Sequence, residues 1–347
     1  MAPSLNNSAW LEWMAHLLGG ASRRTYAATL PLNRFYCLLD ELPMHLVPRP
    51  GAESLRCYAG EDESLSLSPA STFTTRGILP PDLSYLEPFV SGFILQGTVA
   101  WVRDAASGSV SPFLLGTTFE TALNSLNRGE TPSILPSAIR NRLLQAGILT
   151  SEKRDARLLR ERQNGIERSA AAFQRNRYVP LTGLIHPFQI AALRRYYRYL
   201  IRTGAISLGD SQSPRRYVAY NEPVARFFHQ QITHTLSAIA GEPLKPSYVY
   251  LASYLSGAEL QKHTDREQCE FSVTLCLDFS PEPVRETPWP IRLDTPGGQV
   301  TVYQALGDGL AYRGTQLPHY RDALPDGQTS TSIFFHYVRA NFSGSLA

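Results

Sequence analysis

After Pro246 the hydrophobic pattern changes and does not change back. Residues 248–255, 270–279, 291–293, 299–304, 309–312 and 330–338 are short runs, alternating or continuously apolar, set apart by Gly, Pro and Asp. Such a pattern predicts short strands joined by turns. The stretch before it reads differently. Phe188, Ile190, Leu193, Tyr196, Tyr197 and Leu200 recur at helical spacing and stop at Gly204. Phe227, Phe228, Ile232, Leu236 and Ile239 do the same over 224–241. Helices followed by regularly spaced strands predict an α+β chain whose β core carries helices on its outside, and a double-sheet jelly roll (a double-stranded β-helix) is the natural architecture.

The N-terminal part predicts a separate α/β accessory domain over 1–150, a charged linker helix over 151–176, and the jelly-roll domain over 177–347. Trp10, Leu11, Trp13, Met14, Leu17 and Leu18 predict a helix that Gly19-Gly20 ends. Residues 47–88, rich in Pro, Gly and Ser, predict loops. A hairpin is expected from 93–102 and 111–115, with 104–109 as its turn. Phe119, Leu123 and Leu126 mark one helix and 134–147 another, each followed by a glycine. A hairpin with short helices is similar to a small winged-helix-like or peptide-recognition module.

Composition narrows the function classes. A formal charge of +3 without a Lys/Arg run carrying interleaved aromatics argues against nucleic acid. No window reaches the roughly 18 apolar residues of a membrane span. Glu12 and His16 interrupt the first apolar stretch, and no basic segment precedes it, so no signal peptide is expected. Cys37, Cys57, Cys269 and Cys276 show no C-x-x-C pairing and suit a reducing, cytoplasmic setting.

The chemistry concentrates in His263-Thr264-Asp265 and in His319. Two residues apart on a strand, His263 and Asp265 would share a face. A histidine returning from a later strand would complete two imidazoles and one carboxylate on one side of a metal ion, leaving open positions as non-haem Fe(II) chemistry requires. His229 and His234, five apart on a helix, do not share a face and are expected to be core or surface histidines. No H-E-x-x-H, C-x-x-C or G-x-S-x-G is present to suggest zinc hydrolysis or a serine nucleophile.

The ordered set Gln261-Lys262-His263-Thr264-Asp265, Gly297-Gly298-Gln299-Val300, Gly307-Asp308-Gly309-Leu310-Ala311-Tyr312 and Leu317-Pro318-His319-Tyr320-Arg321 resembles Fe(II)/2-oxoglutarate-dependent oxygenases, in particular their prolyl-hydroxylase-like and phytanoyl-hydroxylase-like branches. The resemblance spans about residues 177–340. It implies a dioxygenase that binds Fe(II) through His263, Asp265 and His319. It further implies that 2-oxoglutarate and O₂ are consumed, that ascorbate stimulates, and that the product is a hydroxylated amino acid, peptide or small natural product. Radical halogenases of this group lack the carboxylate, so Asp265 favours hydroxylation. The group's usual Arg or Lys about ten residues after the second histidine is replaced here by Gln328, Thr329 and Ser330. Arg321 is the expected substitute, because it would share the face of His319. Tyr250, Tyr254, Ser330 and Ser332 are expected hydroxyl donors to 2-oxoglutarate. The alternative is a non-catalytic jelly-roll binding protein whose N-terminal module captures a peptide.

Overall fold

The computed structural model describes residues 37–38, 64–75, 78–86, 97–105, 107–210 and 213–346. The helix expected around Trp10–Leu18, residues 47–63 of the expected loop, and the start of the hairpin at 93–96 lie outside the described residues. The chain divides into two compact units.

One unit takes in Ala21–Gly165 and His186–Tyr196. Its strands are β1 (Cys37–Leu38), β2 (Ser66–Leu67), β3 (Ser71–Thr75), β4 (Thr98–Arg103), β5 (Val110–Leu115) and β6 (Leu149–Thr150). Its helices include α1 (Thr117–Asn127) and α2 (Ser137–Gln145). Strands in the order β1-β5-β4-β3 form a sheet, and β2 pairs with β6. The hairpin forms because Asp104 Oδ1 accepts bonds from the Ser107 amide and hydroxyl, each 2.7 Å, and Gly108 takes a positive φ of 68°. Antiparallel pairing then runs from Thr98↔Leu115 to Arg103↔Val110. Phe119 and Leu123 of α1 and Leu143 and Leu144 of α2 bury against Phe113, Leu115 and Ile148. Part of the region expected as loop is instead strand β3, antiparallel to β4. Ser-Thr-Phe-Thr-Thr is rich in β-favouring residues, and Trp101 Nε1 donates to Thr74 Oγ1 at 2.8 Å across the pair.

The other unit takes in Ile166–Ile185 and Tyr197–Ala347, so the division falls inside helices α3 (Glu152–Asn176) and α4 (Pro187–Arg202). Between and after these helices come β7 (Tyr178–Leu181), β8 (Ser207–Leu208), β9 (Arg216–Tyr220), α5 (Pro223–Ala240), β10 (Leu244–Tyr254), β11 (Leu260–His263) and β12 (Phe271–Ser280). The last strands are β13 (Ile291–Thr295), β14 (Gly298–Val302), β15 (Gly309–Tyr312), β16 (His319–Arg321) and β17 (Thr329–Arg339). The Glu222 carboxylate caps α5, accepting from the Val224 and Ala225 amides at 3.1 and 2.9 Å, and Gly241 ends the helix at φ 72°. The helix buries Phe227, Ile232, Leu236 and Ile239 and lies against β10.

The strands form a seven-stranded sheet, β7-β15-β12-β17-β10-β9-β8, and a four-stranded sheet, β11-β16-β13-β14, both antiparallel throughout. From β10 onward the chain passes back and forth. Strands β10, β12, β15 and β17 belong to the large sheet, and β11, β13, β14 and β16 to the small one. The sheets bury Ile291, Leu293 and Val302 of the small sheet together with Leu310 and Tyr312 of the large one. Each such side chain contributes about 1.5–3 kcal/mol on burial. Among the described residues no helix is long and apolar enough to cross a membrane.

Candidate metal centre

His263 is the last residue of β11 and His319 the first of β16, and the two are direct cross-strand partners. Their rings lie 4.4 Å apart. Asp265 comes from the loop after β11, not from the strand itself, so period-two alternation does not place it as the sequence reading assumed. The Asp265 amide instead bonds to the Gly314 carbonyl at 2.9 Å, outside the β11–β16 ladder. That tether turns the carboxylate back toward the histidines. Asp265 Oδ1 lies 3.7 Å from His263 Nε2 and 3.6 Å from His319 Nε2. One ligating atom from each of the three residues falls within 4.8 Å of the others.

The backbone fixes which nitrogen of each ring faces the centre. His263 Nδ1 lies 2.7 Å from the Gln261 carbonyl and His319 Nδ1 lies 3.0 Å from the Leu317 carbonyl. A carbonyl only accepts, so each ring carries its proton on Nδ1 and turns the Nε2 lone pair inward. Burial holds the His319 imidazole below its ordinary pKa, against the pull of Asp265, and so keeps it in the neutral form a metal needs. His319 is nearly fully buried, whereas His263 is exposed. The triad therefore has a closed side and an open side. The residues fit a divalent ion of the iron class: two neutral imidazoles, one carboxylate and free positions toward the open side.

Around Asp265 the packing is tight. Its Oδ2 accepts the Ser272 hydroxyl at 2.7 Å, and Ser272 Oγ in turn lies 2.9 Å from His336 Nδ1. A Cβ on Gly314 would fall 2.2 Å from Asp265 Oδ2 and 2.4 Å from the Cys269 carbonyl. Only glycine fits there. In Gly314→Ala the carboxylate has to swing away. The expected result is at least a tenfold loss of metal affinity together with a destabilisation of about 1–3 kcal/mol from overpacking. Metal titration alongside thermal unfolding measures both.

Arg321 shares the inward face of β16 with His319 and is likewise buried. Its guanidinium donates to the Trp289 carbonyl and, at 3.0 Å, to Gln304 Oε1, and it lies over the Trp289 ring at 4.7 Å. Among the described residues no carboxylate pairs with it, and burial lowers its pKa. Neighbouring cations are committed elsewhere: Lys262 to Asp294, Arg292 to Asp322, Arg313 to Glu242, and Arg266 over the Tyr248 ring. Register puts Tyr250 and Tyr254 of β10 opposite Phe334 and Ser330 of β17, with Ser332 between Ala252 and Cys276. All lie on the face of the large sheet that carries His336. The Tyr254 ring meets Trp289 at 5.1 Å, which brings it to the Arg321 side. The Tyr250 hydroxyl donates to Asp210 at 2.5 Å.

Sequence reading missed Ser272, His336, Gly314 and Tyr312. The Tyr312 hydroxyl reaches to 3.4 Å from His319 Nε2, and its ring packs on that imidazole at 4.8 Å. Their signal was present but mute. Ser272 is one of several polar residues alternating along β12 and His336 stands among apolar neighbours in β17, and only the β12–β17 register, which pairs them directly, reveals the link. His229 is a core histidine bonded to the His336 carbonyl at 2.8 Å, and His234 is exposed. A second close group, Asp265, Cys269 and His336, is less suited to a metal. Its Asp265 oxygen and His336 nitrogen already bond Ser272. The Cys269 thiol, bonded to the Tyr248 hydroxyl at 3.0 Å, is pushed up to about 12 by burial and by Asp265.

No protein-family model matches the chain, and no curated protein matches it in sequence. Among solved structures the chain is similar to SnoN, a non-haem α-ketoglutarate-dependent epimerase from nogalamycin biosynthesis, at 16% identity over 51% of this chain and 82% of that one, TM-score 0.43. It is similar to a Pseudomonas putida prolyl-4-hydroxylase at 15% identity over 51% of this chain and 100% of that one, TM-score 0.42. It is also similar to an oxidoreductase of the 2OG-Fe(II) oxygenase family from Burkholderia pseudomallei, at 14% identity over 52% and 92%, TM-score 0.41.

Proposed function

We propose that the chain is an Fe(II)- and 2-oxoglutarate-dependent oxygenase that hydroxylates an unactivated C–H bond of an amino acid, peptide or small natural product. The observation that carries this reading is the convergence of two Nε2 lone pairs and one carboxylate oxygen, from His263, His319 and Asp265, on a point open to one side. Bound there, iron supplies the activation of O₂ that couples decarboxylation of 2-oxoglutarate, giving succinate and CO₂, to oxidation of the substrate.

The chain's own residues do the holding. Nδ1–H bonds to Gln261 and Leu317 fix the two rings. Arg321 is suited to the far carboxylate of 2-oxoglutarate. It is a buried cation whose hydrogen-bond partners are neutral, and a guanidinium can grip a carboxylate through two parallel N–H bonds. Trp289, Tyr254 and Tyr312 line its surroundings and keep water from competing. Residues 1–150 are proposed to affect the choice or docking of substrate. The buried thiols of Cys269 and Cys276 are in keeping with a reducing cytoplasm.

Purified protein supplied with Fe(II), ascorbate and 2-oxoglutarate under air is expected to release succinate, more so with a cognate substrate. Screening amino acids and peptides for a mass gain of one oxygen identifies that substrate. Failure to form succinate under air, with iron bound, would favour a binding protein built on the same scaffold.

A further inference from the structure

We infer that Ser272 and His336 are positioning residues that hold the Asp265 carboxylate in a one-oxygen ligating pose, an inference that rests on the metal reading proposed above. Asp265 has two oxygens with different company. Oδ1 faces His263 Nε2 and His319 Nε2 at 3.7 and 3.6 Å. Oδ2 faces away and accepts the Ser272 hydroxyl at 2.7 Å. The Ser272 hydroxyl has one proton, and the carboxylate takes it. Ser272 Oγ must therefore accept from His336 Nδ1 at 2.9 Å. The run is directional, from the His336 Nδ1–H through the Ser272 O–H to Asp265 Oδ2.

Each member sits on rigid strand. Ser272 (β12) and His336 (β17) are register partners, and Tyr312 of β15 flanks Ser272 on its other side. Ser272 is 0% and His336 6% exposed, so bulk water does not replace a lost hydroxyl. Gly314, with no room for a Cβ beside Oδ2 and Ser272 Oγ, closes the remaining side.

The consequence is specific to the metal. An anchored Oδ2 keeps Asp265 from chelating through both oxygens and leaves one more coordination position for exogenous ligands. Removing the Ser272 hydroxyl frees the carboxylate to rotate. Partners of this kind typically change metal affinity by about 10–100-fold when lost.

Co(II) titration of the full chain under anaerobic conditions, read by the visible d–d spectrum, tests this with Ser272→Ala, His336→Leu, His336→Asn and the Ser272→Ala/His336→Leu double variant. Asparagine places an N–H near the imidazole Nδ1–H, so His336→Asn is expected to stay within about threefold of the parent, while Ser272→Ala weakens binding about 10–100-fold and alters the spectrum. His336→Leu is expected to lie between them, and the double variant to lose no more than Ser272→Ala alone. Thermal unfolding confirms that each variant is folded. Parent-like affinity and spectrum in a folded Ser272→Ala overturn the inference and leave the metal reading intact. Equal losses in His336→Asn and His336→Leu also overturn it, because packing and not the donor would then be responsible. A parent protein that binds no Co(II) would instead refute the metal reading itself.

Discussion

His263→Ala binds Fe(II) at least about 100-fold more weakly than the parent and turns over no 2-oxoglutarate, while its unfolding temperature stays within a few degrees. The reasoning starts from exposure. His263 ends its strand with its side chain 40% exposed, so removing it leaves no buried cavity. What disappears is one of three ligand atoms, and losing a partner outside the ligand set already costs about 10–100-fold in such sites. His319→Ala and Asp265→Ala lose metal to the same degree but cost more stability. His319 is 2% exposed and packs against Tyr312, and Asp265 holds the Ser272 hydroxyl. Isothermal titration with Fe(II) under argon, paired with calorimetry of the metal-free proteins, separates the two effects. Full metal occupancy in all three variants would dismiss the ligand assignment.

Arg321→Met abolishes high-affinity 2-oxoglutarate binding and leaves Fe(II) binding nearly unchanged. A buried guanidinium satisfied by the Trp289 carbonyl and the Gln304 side chain is a costly arrangement for the free protein, since no described carboxylate offsets its charge. A dicarboxylic co-substrate would supply that charge. Removing one partner of a buried hydrogen-bonded ion pair weakens binding by roughly 2–5 kcal/mol. Methionine keeps much of the volume beneath Trp289, so the unliganded variant is expected to be as stable as the parent or slightly more so. Arg321→Lys recovers only part of the affinity, because an ammonium lacks the planar pair of donors. Titrating 2-oxoglutarate into the iron-loaded proteins decides the matter. An unchanged affinity in Arg321→Met moves the role to another cation.

The parts of this fold that were legible in the sequence are those whose signal is local. Strand β15 lies where Gly309–Tyr312 was expected, and β10, β12, β13, β14 and β17 fall close to their apolar runs, because alternation and punctuating glycines need no knowledge of partners. Helix α5 was equally plain from its apolar stripe and Gly241. Strands β11 and β16, which carry the histidines, leave no apolar run and were expected only from the ligand pattern, which carried the first of them on to Asp265 although β11 ends at His263. They are short and polar, and pairing defines them: β11 pairs with β16, and β16 also with β13. The approximate position of Asp265 was right for the wrong reason. The carboxylate reaches the histidines through its tether to Gly314 and not through strand alternation. Ser272, His336 and Gly314 escaped notice because their meaning lies in contacts across 42 to 64 residues of chain or in the absence of a side chain, and neither leaves a pattern in nearby sequence.

The most direct test of the account is anaerobic addition of Fe(II) and then 2-oxoglutarate to the purified chain, followed by visible spectroscopy and metal analysis. One iron per chain and a weak visible charge-transfer band that appears only when both are present is the result expected from His263, Asp265, His319 and Arg321 acting together. The band should vanish in His263→Ala. Iron bound with no band at saturating 2-oxoglutarate, or a band that survives in His263→Ala, would contradict it.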